Sequence, residues 1–574
     1  SHRQGDDMNK LRPALAVVVL AVCFAATTAS TSVNTEPGFA SVIAHFRASL
    51  PKLMEEKKVP GLAVAVVTDR RVLWQEGFGF TDDDRRVPVT AETPFSVQSM
   101  SKNFTAAAVL AAVRDGLVAL DTPITAYLTE FTVNSRFEDR PERKMTLRLL
   151  LSHRAGFTHE APDGGNYDPG SGSFANHVRS ISRTWLRFPV DQRYCYSNLG
   201  VDLAGYILEV RSGLPFAEYV RRKVLDPVGM KGSTFDIETV ERNDRRAVGH
   251  NPVRTPIPVE IPMVPAGGLY ASAADLARYV QFHLNEGRAG SRRVLSKKLL
   301  AEMARIPARG PRQTNGYGLG LAVVPYSGTV LLTHSGGGFG FLTHMAWLPE
   351  LEIGVVCLTN ATGHNLNTSI GGELLEKFLA AGAGAKPVPP GADPGAQALP
   401  PEIEVPSAKQ ARLAGQYLYA SGGWMNVELK EGRIGVTSGG EFQPGRFISA
   451  EEVVFMTGGI PFFYRFVRGL DGAPARLIRL YDGETLDFHT APDDPPGPDR
   501  AEWEGFVGRY HYKVNGLPGG SFRVAKKNGH LTLDHMKLTE HRPGLFFAVH
   551  GEALDFTGPF PTWRNIRLEK PAAN

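Results

Sequence analysis

The spacing of apolar residues changes along this chain and divides it into parts. Up to about residue 380, segments with apolar residues at helical spacing alternate with short β-rich runs. Beyond residue 408, apolar and polar residues alternate around Gly-containing turns, which predicts antiparallel strands. The stretch 381–407 is rich in Pro, Gly and Ala and predicts a linker, because it cannot build a core. We therefore predict one domain at 36–380 and two smaller domains at 408–492 and 500–574.

The first domain mixes helices and strands. The order of its elements favours an α/β (α+β) architecture, in which an antiparallel sheet is flanked by helices and carries a helical insertion. The sequence Ser272-Ala-Ala-Asp275 is typical of a helix start. The predicted helices are 39–57, 102–115, 201–211, 216–225, a helix from Ser272 through 282 and one near 373–379, and the predicted strands are 62–68, 72–80, 318–324, 330–334, 341–348 and 353–359.

The C-terminal part contains an internal repeat. The motif G-x-Y-x-Y occurs in LAGQYLY (413–419) and again in FVGRYHY (506–512), and each copy is followed by a similar alternating segment. Units of about 80 residues with many short strands remove their sheet edges by closing into barrels. We therefore predict two small antiparallel β-barrels, in which the repeated Tyr residues serve barrel-corner packing rather than a ligand site.

Composition and charge limit the classes of partner. The 574 residues are 42% apolar and 9% aromatic, enough for several cores. The net charge of +4 comes from 63 basic and 59 acidic residues without a dense Lys/Arg run, which argues against nucleic-acid binding. Apolar positions in the barrels could mediate assembly into a homo-oligomer.

The N-terminal 30 residues are typical of a secretory signal. From Met8 the sequence MNKLRP leads into the apolar run 14–26 and then into small residues through Ser30, while the residues before Met8 resemble added sequence. The apolar run is too short to span a bilayer, so we expect an exported, periplasmic or secreted protein without a membrane span after cleavage. The remaining Cys195 and Cys357 predict two buried thiols and no zinc site.

The sequence Ser99-Met-Ser-Lys102 is the first candidate for chemistry. It matches S-x-x-K and precedes a helical pattern, so the hydroxyl and the amine lie on one face within one turn. A serine hydroxyl needs a neighbouring base to become a nucleophile, and a helix start adds backbone N–H donors for an oxyanion. Ser49-Leu-Pro-Lys52 also matches the motif, but a solvated helix end is the better interpretation there.

Six segments in order resemble the serine β-lactamase-like hydrolases: FSVQSMSKNFTAAAV, LLLSHRAGF, YCYSNLG, PAGGLYASAADLARY, NGYGLGL and LTHSGGGFG. That family includes class C β-lactamases, D-Ala-D-Ala carboxypeptidases, D-aminopeptidases and related esterases, and the resemblance covers about residues 40 to 380. It implies that Ser99 forms an acyl-enzyme, that Lys102 and Tyr196 exchange its proton, and that Asn198 orients Lys102 and the substrate amide. Whether Lys102 or Tyr196 is the general base stays open.

The third motif departs from the Lys-Thr-Gly pattern that is usual in β-lactamases. His334, Ser335, Gly336 and Gly337 stand in its place, and the resemblance makes them substrate-binding or orienting residues. A neutral imidazole cannot replace a fixed positive charge, which weakens the case for binding a β-lactam or D-Ala-D-Ala carboxylate. The Gly337 N–H is expected to join that of Ser99 in an oxyanion hole.

The favoured function is hydrolysis of amide bonds in short peptides or amino-acid amides, with D-residues among the candidate substrates, without cofactor or metal. A carboxylesterase on the same scaffold is the first alternative, a β-lactamase is less favoured, and a non-catalytic protein that binds peptides or peptidoglycan is the alternative from another class. His153 is interpreted as structural and Asp191 as a loop carboxylate. The chain has no G-x-S-x-G and no H-E-x-x-H motif, which argues against an α/β-hydrolase and a zinc protease.

Overall fold

The computed structural model describes most of the chain in separate ranges. They are 37–166, 172–251, 263–307, 316–384, 400–419, 424–438, 441–457, 460–468, 474–479, 485–489, 497–514, 516–534, 536–548 and 550–570. The predicted signal sequence and much of the predicted linker lie outside the described residues, so both stay predictions, as do the domain boundaries. In the part that is described, no helix is long and apolar enough to cross a membrane.

The N-terminal part is built on one antiparallel sheet with helices on both faces. The helices are α1 (Pro37–Lys57), α2 (Ser101–Arg114), α3 (Leu147–Leu151), α4 (Phe174–Ser180), α5 (Asn198–Ser212), α6 (Phe216–Val220), α7 (Asp226–Val228), α8 (Ile237–Glu241), α9 (Val264–Gly267), α10 (Ala273–Leu284), α11 (Lys297–Met303) and α12 (Leu366–Ala380). The strands are β1 (Gly61–Thr68), β2 (Val72–Gly79), β3 (Phe95–Ser96), β4 (Tyr270–Ala271), β5 (Arg288–Ala289), β6 (Arg292–Arg293), β7 (Gly316–Tyr317), β8 (Ala322–Tyr326), β9 (Thr329–Gly338), β10 (Phe341–Leu348) and β11 (Ile353–Thr359).

The main sheet has seven strands in the order β2-β1-β11-β10-β9-β8-β7. Its central strands are buried on both faces, because β1 and β11 consist almost entirely of apolar residues. Helices α1 and α12 cover one face, while α10 and the helical region around α2 and α5 cover the other. The 3-10 turn Gln98–Met100, which directly precedes α2, packs against β9 and β10. The start of α2 therefore lies beside β9. The predicted α/β architecture is thereby confirmed.

The single strand predicted at 318–324 is wrong. The structure has two strands, β7 and β8, separated by a turn in which the Gly318 N–H bonds to Leu321 O at 2.9 Å. Gly320 within this turn has φ of +69°, a left-handed conformation that a strand does not allow. A Cβ at this position would lie 2.4 Å from Lys102 O, so the turn also needs glycine to pass close to α2.

Two other elements are longer than predicted. Helix α12 begins at Leu366 instead of near 373, and β9 continues to Gly338 instead of ending at His334. Gly336 and Gly337 have no side chains and therefore give no alternating pattern, although they pair regularly with Thr343 and Leu342 of β10. The capping interaction predicted at Ser272 is present, since its Oγ accepts from Asp275 N at 3.1 Å.

The C-terminal part folds as two antiparallel sheets that follow a short helix, α13 (Ser407–Ala411). The first has nine strands, β12 (Gly415–Tyr419), β13 (Trp424–Lys430), β14 (Arg433–Ser438), β15 (Glu441–Pro444), β16 (Arg446–Phe447), β17 (Glu452–Thr457), β18 (Ile460–Arg468), β19 (Pro474–Arg479) and β20 (Thr485–His489). The second has eight, β21 (Gly508–Val514), β22 (Leu517–Lys527), β23 (His530–Leu533), β24 (Met536–Arg542), β25 (Leu545–Ala548), β26 (Ala553–Asp555), β27 (Thr562–Trp563) and β28 (Ile566–Arg567).

Each sheet curves until its two ends meet. In the first barrel, β15 pairs with β14 and β16 pairs with β17, and these two short strands are halves of one segment interrupted at Gly445. In the second barrel, His511 of β21 and Glu569 exchange backbone hydrogen bonds of 2.8 and 2.7 Å next to β28. The exposed edges that an open sheet would leave are largely removed in this way.

The sequence repeat corresponds to a structural repeat. The Tyr417 hydroxyl donates to Leu413 O, and the Tyr510 hydroxyl donates to Phe506 O, each at 2.8 Å and each four residues back along the chain. Both rings are buried in their barrel cores. This arrangement is the one that a tyrosine corner uses to fix the entry of a strand. The prediction of corner packing for these two residues is therefore confirmed.

Candidate active site

Ser99 and Lys102 meet at the start of α2. Ser99 lies in a 3-10 turn, Gln98–Met100, that leads directly into the helix. The Lys102 side chain is fully buried, and its Nζ donates to Ser99 Oγ at 3.0 Å and to Ala266 O at 2.9 Å. The carbonyl of Ala266, on α9, thus holds the amine in place beside the hydroxyl. This spacing is what proton transfer between the two side chains requires.

The residue before Ser99 has an unusual backbone conformation. Gln98 has φ of +52°, a left-handed value that costs a non-Gly residue about 1–3 kcal/mol. Its buried side chain donates to Ser96 Oγ at 2.7 Å, which holds the residue in this conformation. The chain turns sharply here and brings half-buried Ser99 to the wall of a cleft. The strain is therefore stored directly beside the candidate nucleophile.

The Tyr196 ring lies against the Lys102 amine. Its ring centroid is 4.9 Å from Lys102 Nζ, so the fold brings Ser99, Lys102 and Tyr196 together across almost one hundred residues of sequence. Tyr196 therefore lies beside the Ser99–Lys102 pair and, like Ser99, lines the cleft.

Asn198 begins α5 and has a different partner from the one that the family resemblance implies. Its Nδ2 donates to Glu160 Oε1 at 3.4 Å, whereas the described residues show no hydrogen bond between Asn198 and Lys102. Glu160 is buried and also contacts His159 and Asn166. Burial alone would raise the pKa of Glu160, but His159 and the Asn166 donors hold that pKa below its usual value. The site therefore contains a buried, ionised carboxylate behind Asn198.

His334 of the third motif is held as a neutral imidazole. Its Nδ1–H donates to Ser335 O at 2.6 Å, and its Nε2 accepts from the Tyr317 hydroxyl at 2.7 Å. Burial, together with the charge of Lys102, lowers the pKa of His334 to about 3. At neutral pH this residue therefore contributes no positive charge to the cleft.

The two glycines of the third motif have different surroundings. A Cβ on Gly336 would lie 2.1 Å from Val97 O and 2.5 Å from Thr343 Oγ1, so β9 approaches the Ser99 turn as closely as a bare backbone allows. A Cβ on Gly337 would meet Leu342 Cδ2 at 3.1 Å, a contact with the end of a flexible side chain. Gly336 sets the distance between β9 and the nucleophile turn, and Gly337 lines the cleft.

The cleft has a volume of about 590 Å³ and contains most of the candidate residues. Its described lining includes no Lys, Arg, Asp or Glu side chain. The predicted residues on its wall are Ser99, Tyr196, His334, Ser335, Gly336 and Gly337, and further lining residues include Tyr194, Tyr317, Leu342, His344, Asn367 and Thr368.

The part of the chain that carries the site matches a known protein family. Residues 46–374 match the family model described as Beta-lactamase, which is more than half of the chain. The chain belongs to the beta-lactamase family. The matched residues span the main sheet and all the predicted site residues.

Relatives of this beta-lactamase family member include proteins with different names. The unguisins hydrolase of Aspergillus campestris is 28% identical over 58% of this chain, and the match spans 65% of that protein, just under two thirds. Penicillin-binding protein 4 of Amycolatopsis lactamdurans is 28% identical over 65% of this chain and 97% of that protein. The solved octameric penicillin-binding protein homologue from Pyrococcus abyssi shares the fold with a TM-score of 0.54, 22% identity, and coverage of 77% of this chain and 99% of that one.

Several site residues of this beta-lactamase family member were not among the candidates from the sequence. Tyr317 holds the tautomer of His334, Glu160 anchors Asn198, and His344 donates to or accepts from Ser335 Oγ at 2.8 Å. Tyr317 lies in the quoted segment NGYGLGL, which was the available signal. Glu160 and His344 gave no signal, because neither belongs to a quoted segment, and Asn198, the partner of Glu160, is 38 residues away.

Of the residues interpreted as structural, His153 lies closest to the site, with 4.3 Å between its ring centroid and that of Tyr196. Lys52 is exposed on α1, the helix that covers the face of the sheet opposite to Ser99. Ser49 and Lys52 therefore form no second site. Asp191 is half exposed and pairs with Arg154 at 2.6 Å. His153 is buried with φ of +59°, and its carbonyl and Nδ1 accept from Cys195 N and Ser197 N. His153 therefore supports the backbone on both sides of Tyr196. Cys195 and Cys357 are buried thiols, as predicted.

Proposed function

We propose that this protein is a serine hydrolase that cleaves amide bonds of short peptides or amino-acid amides, D-residues included, through an acyl-Ser99 intermediate. The observation that carries the proposal is the hydrogen bond of buried Lys102 Nζ to Ser99 Oγ, with Tyr196 beside it. A hydroxyl and a buried amine in direct contact form an activated nucleophile when the amine is neutral or when a phenolate accepts the proton.

In the acylation step, Ser99 Oγ attacks the substrate carbonyl carbon. The serine proton passes to Lys102 or Tyr196, and the oxygen of the tetrahedral intermediate accepts from the N–H groups of Ser99 and Gly337. The amide C–N bond then breaks as the leaving nitrogen receives the proton, which leaves Ser99 acylated. Water attacks the ester in the second step, returns the proton to Ser99 Oγ and releases the acid.

The electrostatics of the cleft favour a substrate without a carboxylate next to the scissile bond. His334 is neutral and already bonded to Tyr317, and the described lining offers no Arg or Lys side chain to replace the missing lysine of the third motif. A buried carboxylate without a cationic partner is costly. Peptide amides, amino-acid amides and esters fit this cleft better than β-lactams or peptides cut at a free C-terminus.

The test combines turnover with intact-protein mass spectrometry. The wild-type chain and Ser99→Ala are exposed to D- and L-alanine p-nitroanilide, p-nitrophenyl acetate, nitrocefin, and acetyl-D-Ala-D-Ala with and without a C-terminal amide. We expect anilide and peptide-amide turnover, acylation that is lost in Ser99→Ala, and slower turnover of the free acid than of its amide. Lys102→Met serves as a second variant and should slow acylation at least 100-fold.

Each alternative has its own result. Turnover of the ester alone would move the assignment to a carboxylesterase, and efficient nitrocefin hydrolysis would move it to a β-lactamase. Peptide binding without any Ser99-dependent turnover would indicate a non-catalytic binding protein. Acylation that persists in Ser99→Ala would refute the assignment of the nucleophile.

A further inference from the structure

The second barrel touches the N-terminal part through a buried ion pair. Arg187 and Glu552 are 2% and 1% exposed, with 3.0 Å between Arg187 Nε and Glu552 Oε1. Arg187 also donates to His550 O at 3.0 Å and to Cys195 Sγ, the neighbour of Tyr196, at 3.2 Å. Gly551 has φ of +84°, and a Cβ there would lie 2.3 Å from Arg187 O. The turn 550–552 therefore fits closely against Arg187.

The same barrel binds the segment 157–160 at two points. Glu552 Oε2 accepts from Thr158 Oγ1 at 2.6 Å, and Asn565 Nδ2 donates to Glu160 O at 2.8 Å. The Thr158 contact is buried. The pKa of Glu552 would be raised by burial, but Arg187 and Arg564 hold that pKa below its usual value, so the contact is made by a carboxylate.

Segment 157–160 in turn runs along the residues around Tyr196. Cys195 Sγ contacts Phe157 O at 3.2 Å, and Ser197 Oγ donates to Thr158 O at 2.6 Å. Asn198 donates through its backbone to His159 O at 3.3 Å and through its side chain to Glu160, both on the same segment. These bonds form an unbroken chain of contacts from Glu552 to both neighbours of Tyr196.

We propose that Glu552 and Asn565 of the second barrel are positioning residues for Tyr196 and Asn198, acting through segment 157–160. The second barrel thereby completes the reacting centre without lining it, since no residue of either barrel is among the described residues of the cleft wall. The proposal rests on the proposed function for its kinetic readout. The proposal concerns the position of Tyr196, because reacting groups must be held in place to well under about 1 Å.

The experiment uses full-length variants with matched controls. Thr158→Val removes the hydroxyl that contacts Glu552 and leaves the Arg187 pair in place, and Thr158→Ser retains the hydroxyl. Glu552→Gln removes the charge itself. The control is Glu452→Gln in the first barrel, where Glu452 also forms a poorly exposed pair with an arginine, Arg465, at 2.6 Å. Readouts are kcat, KM, the pH profile of kcat, and hydrogen exchange of residues 157–160 and 195–198.

We expect Thr158→Val and Glu552→Gln to lower kcat at least tenfold with KM changed less than threefold. They should also displace the pH limb that reports on proton transfer and raise exchange in both segments. Thr158→Ser should restore most of kcat, and Glu452→Gln should behave like wild type. Unchanged exchange and kcat in Thr158→Val would overturn the proposal, as would an equal loss in Glu452→Gln. If the proposed function is wrong, the wild-type protein will form no acyl-Ser99. The hydrogen-exchange comparison would still show whether Glu552 stabilises residues 157–160 and 195–198.

Discussion

Replacing Gly336 by alanine tests whether β9 fixes the position of the nucleophile. The new Cβ would lie 2.1 Å from Val97 O, 2.5 Å from Thr343 Oγ1 and 3.0 Å from Gln98 Cβ. Val97 O is a backbone atom two residues before Ser99, so relief requires the nucleophile turn or β9 to move. Overpacking of this kind costs about 1–3 kcal/mol. We expect a shift of the Ser99 turn of about 1 Å, for which the loss of rate is about 100-fold.

Two glycines provide matched controls for this substitution. Gly337→Ala places its Cβ 3.1 Å from a flexible Leu342 methyl group and keeps the backbone N–H, so its stability should fall by less than about 1 kcal/mol. Gly372→Ala lies on an exposed turn of α12 with no atom within 4 Å of the new Cβ. It should raise stability by about 0.5–1 kcal/mol, because alanine loses less backbone entropy than glycine in a helix.

The assay measures the acylation rate of Ser99 by p-nitrophenyl acetate and unfolding of the first part of the chain in urea. Gly336→Ala is expected to lose both rate and stability, and Gly372→Ala neither. If Gly336→Ala acylates at the wild-type rate and unfolds at the wild-type urea concentration, the close approach of β9 to Val97 does not set the site geometry. The explanation of this glycine would then be refuted.

Two further predictions follow from buried groups outside the reacting centre. Burial lowers the pKa of His283 to about 3, below its unfolded value near 6.5, so this residue opposes folding as the pH falls from about 6.5 towards 3. Between pH 7 and pH 4, His283→Phe should therefore lose less stability than wild type, as measured by urea unfolding. An identical pH dependence of the two proteins would contradict this. Tyr417→Phe removes the hydrogen bond of the Tyr417 hydroxyl to Leu413 O. The stability of the first barrel, measured by calorimetry, should fall by about 1–2 kcal/mol while kcat stays unchanged. A loss of activity would show that this barrel also supports the site.

Features that depend on residues close together in the chain agree with their predictions. Ser99 and Lys102 are three residues apart at a helix start, so helical geometry alone brings them together, and the structure places their polar atoms 3.0 Å apart. The repeated tyrosines likewise bond four residues back along their own segment. The strand prediction at 318–324 was wrong because the left-handed turn at Gly320 is stabilised by its fit against α2, which no local pattern contains.

The sequence by itself determined the helical and strand periodicity of the first domain, the internal repeat and the S-x-x-K pair, because each depends on residues close together in the chain. Only the tertiary structure decided the charge of His334, which depends on its burial and on Tyr317, and the partner of Asn198, which is Glu160. It also decided that the second barrel contacts segment 157–160. Burial, pKa and long-range hydrogen bonds arise from elements that pack together across hundreds of residues, so they depend on the complete fold.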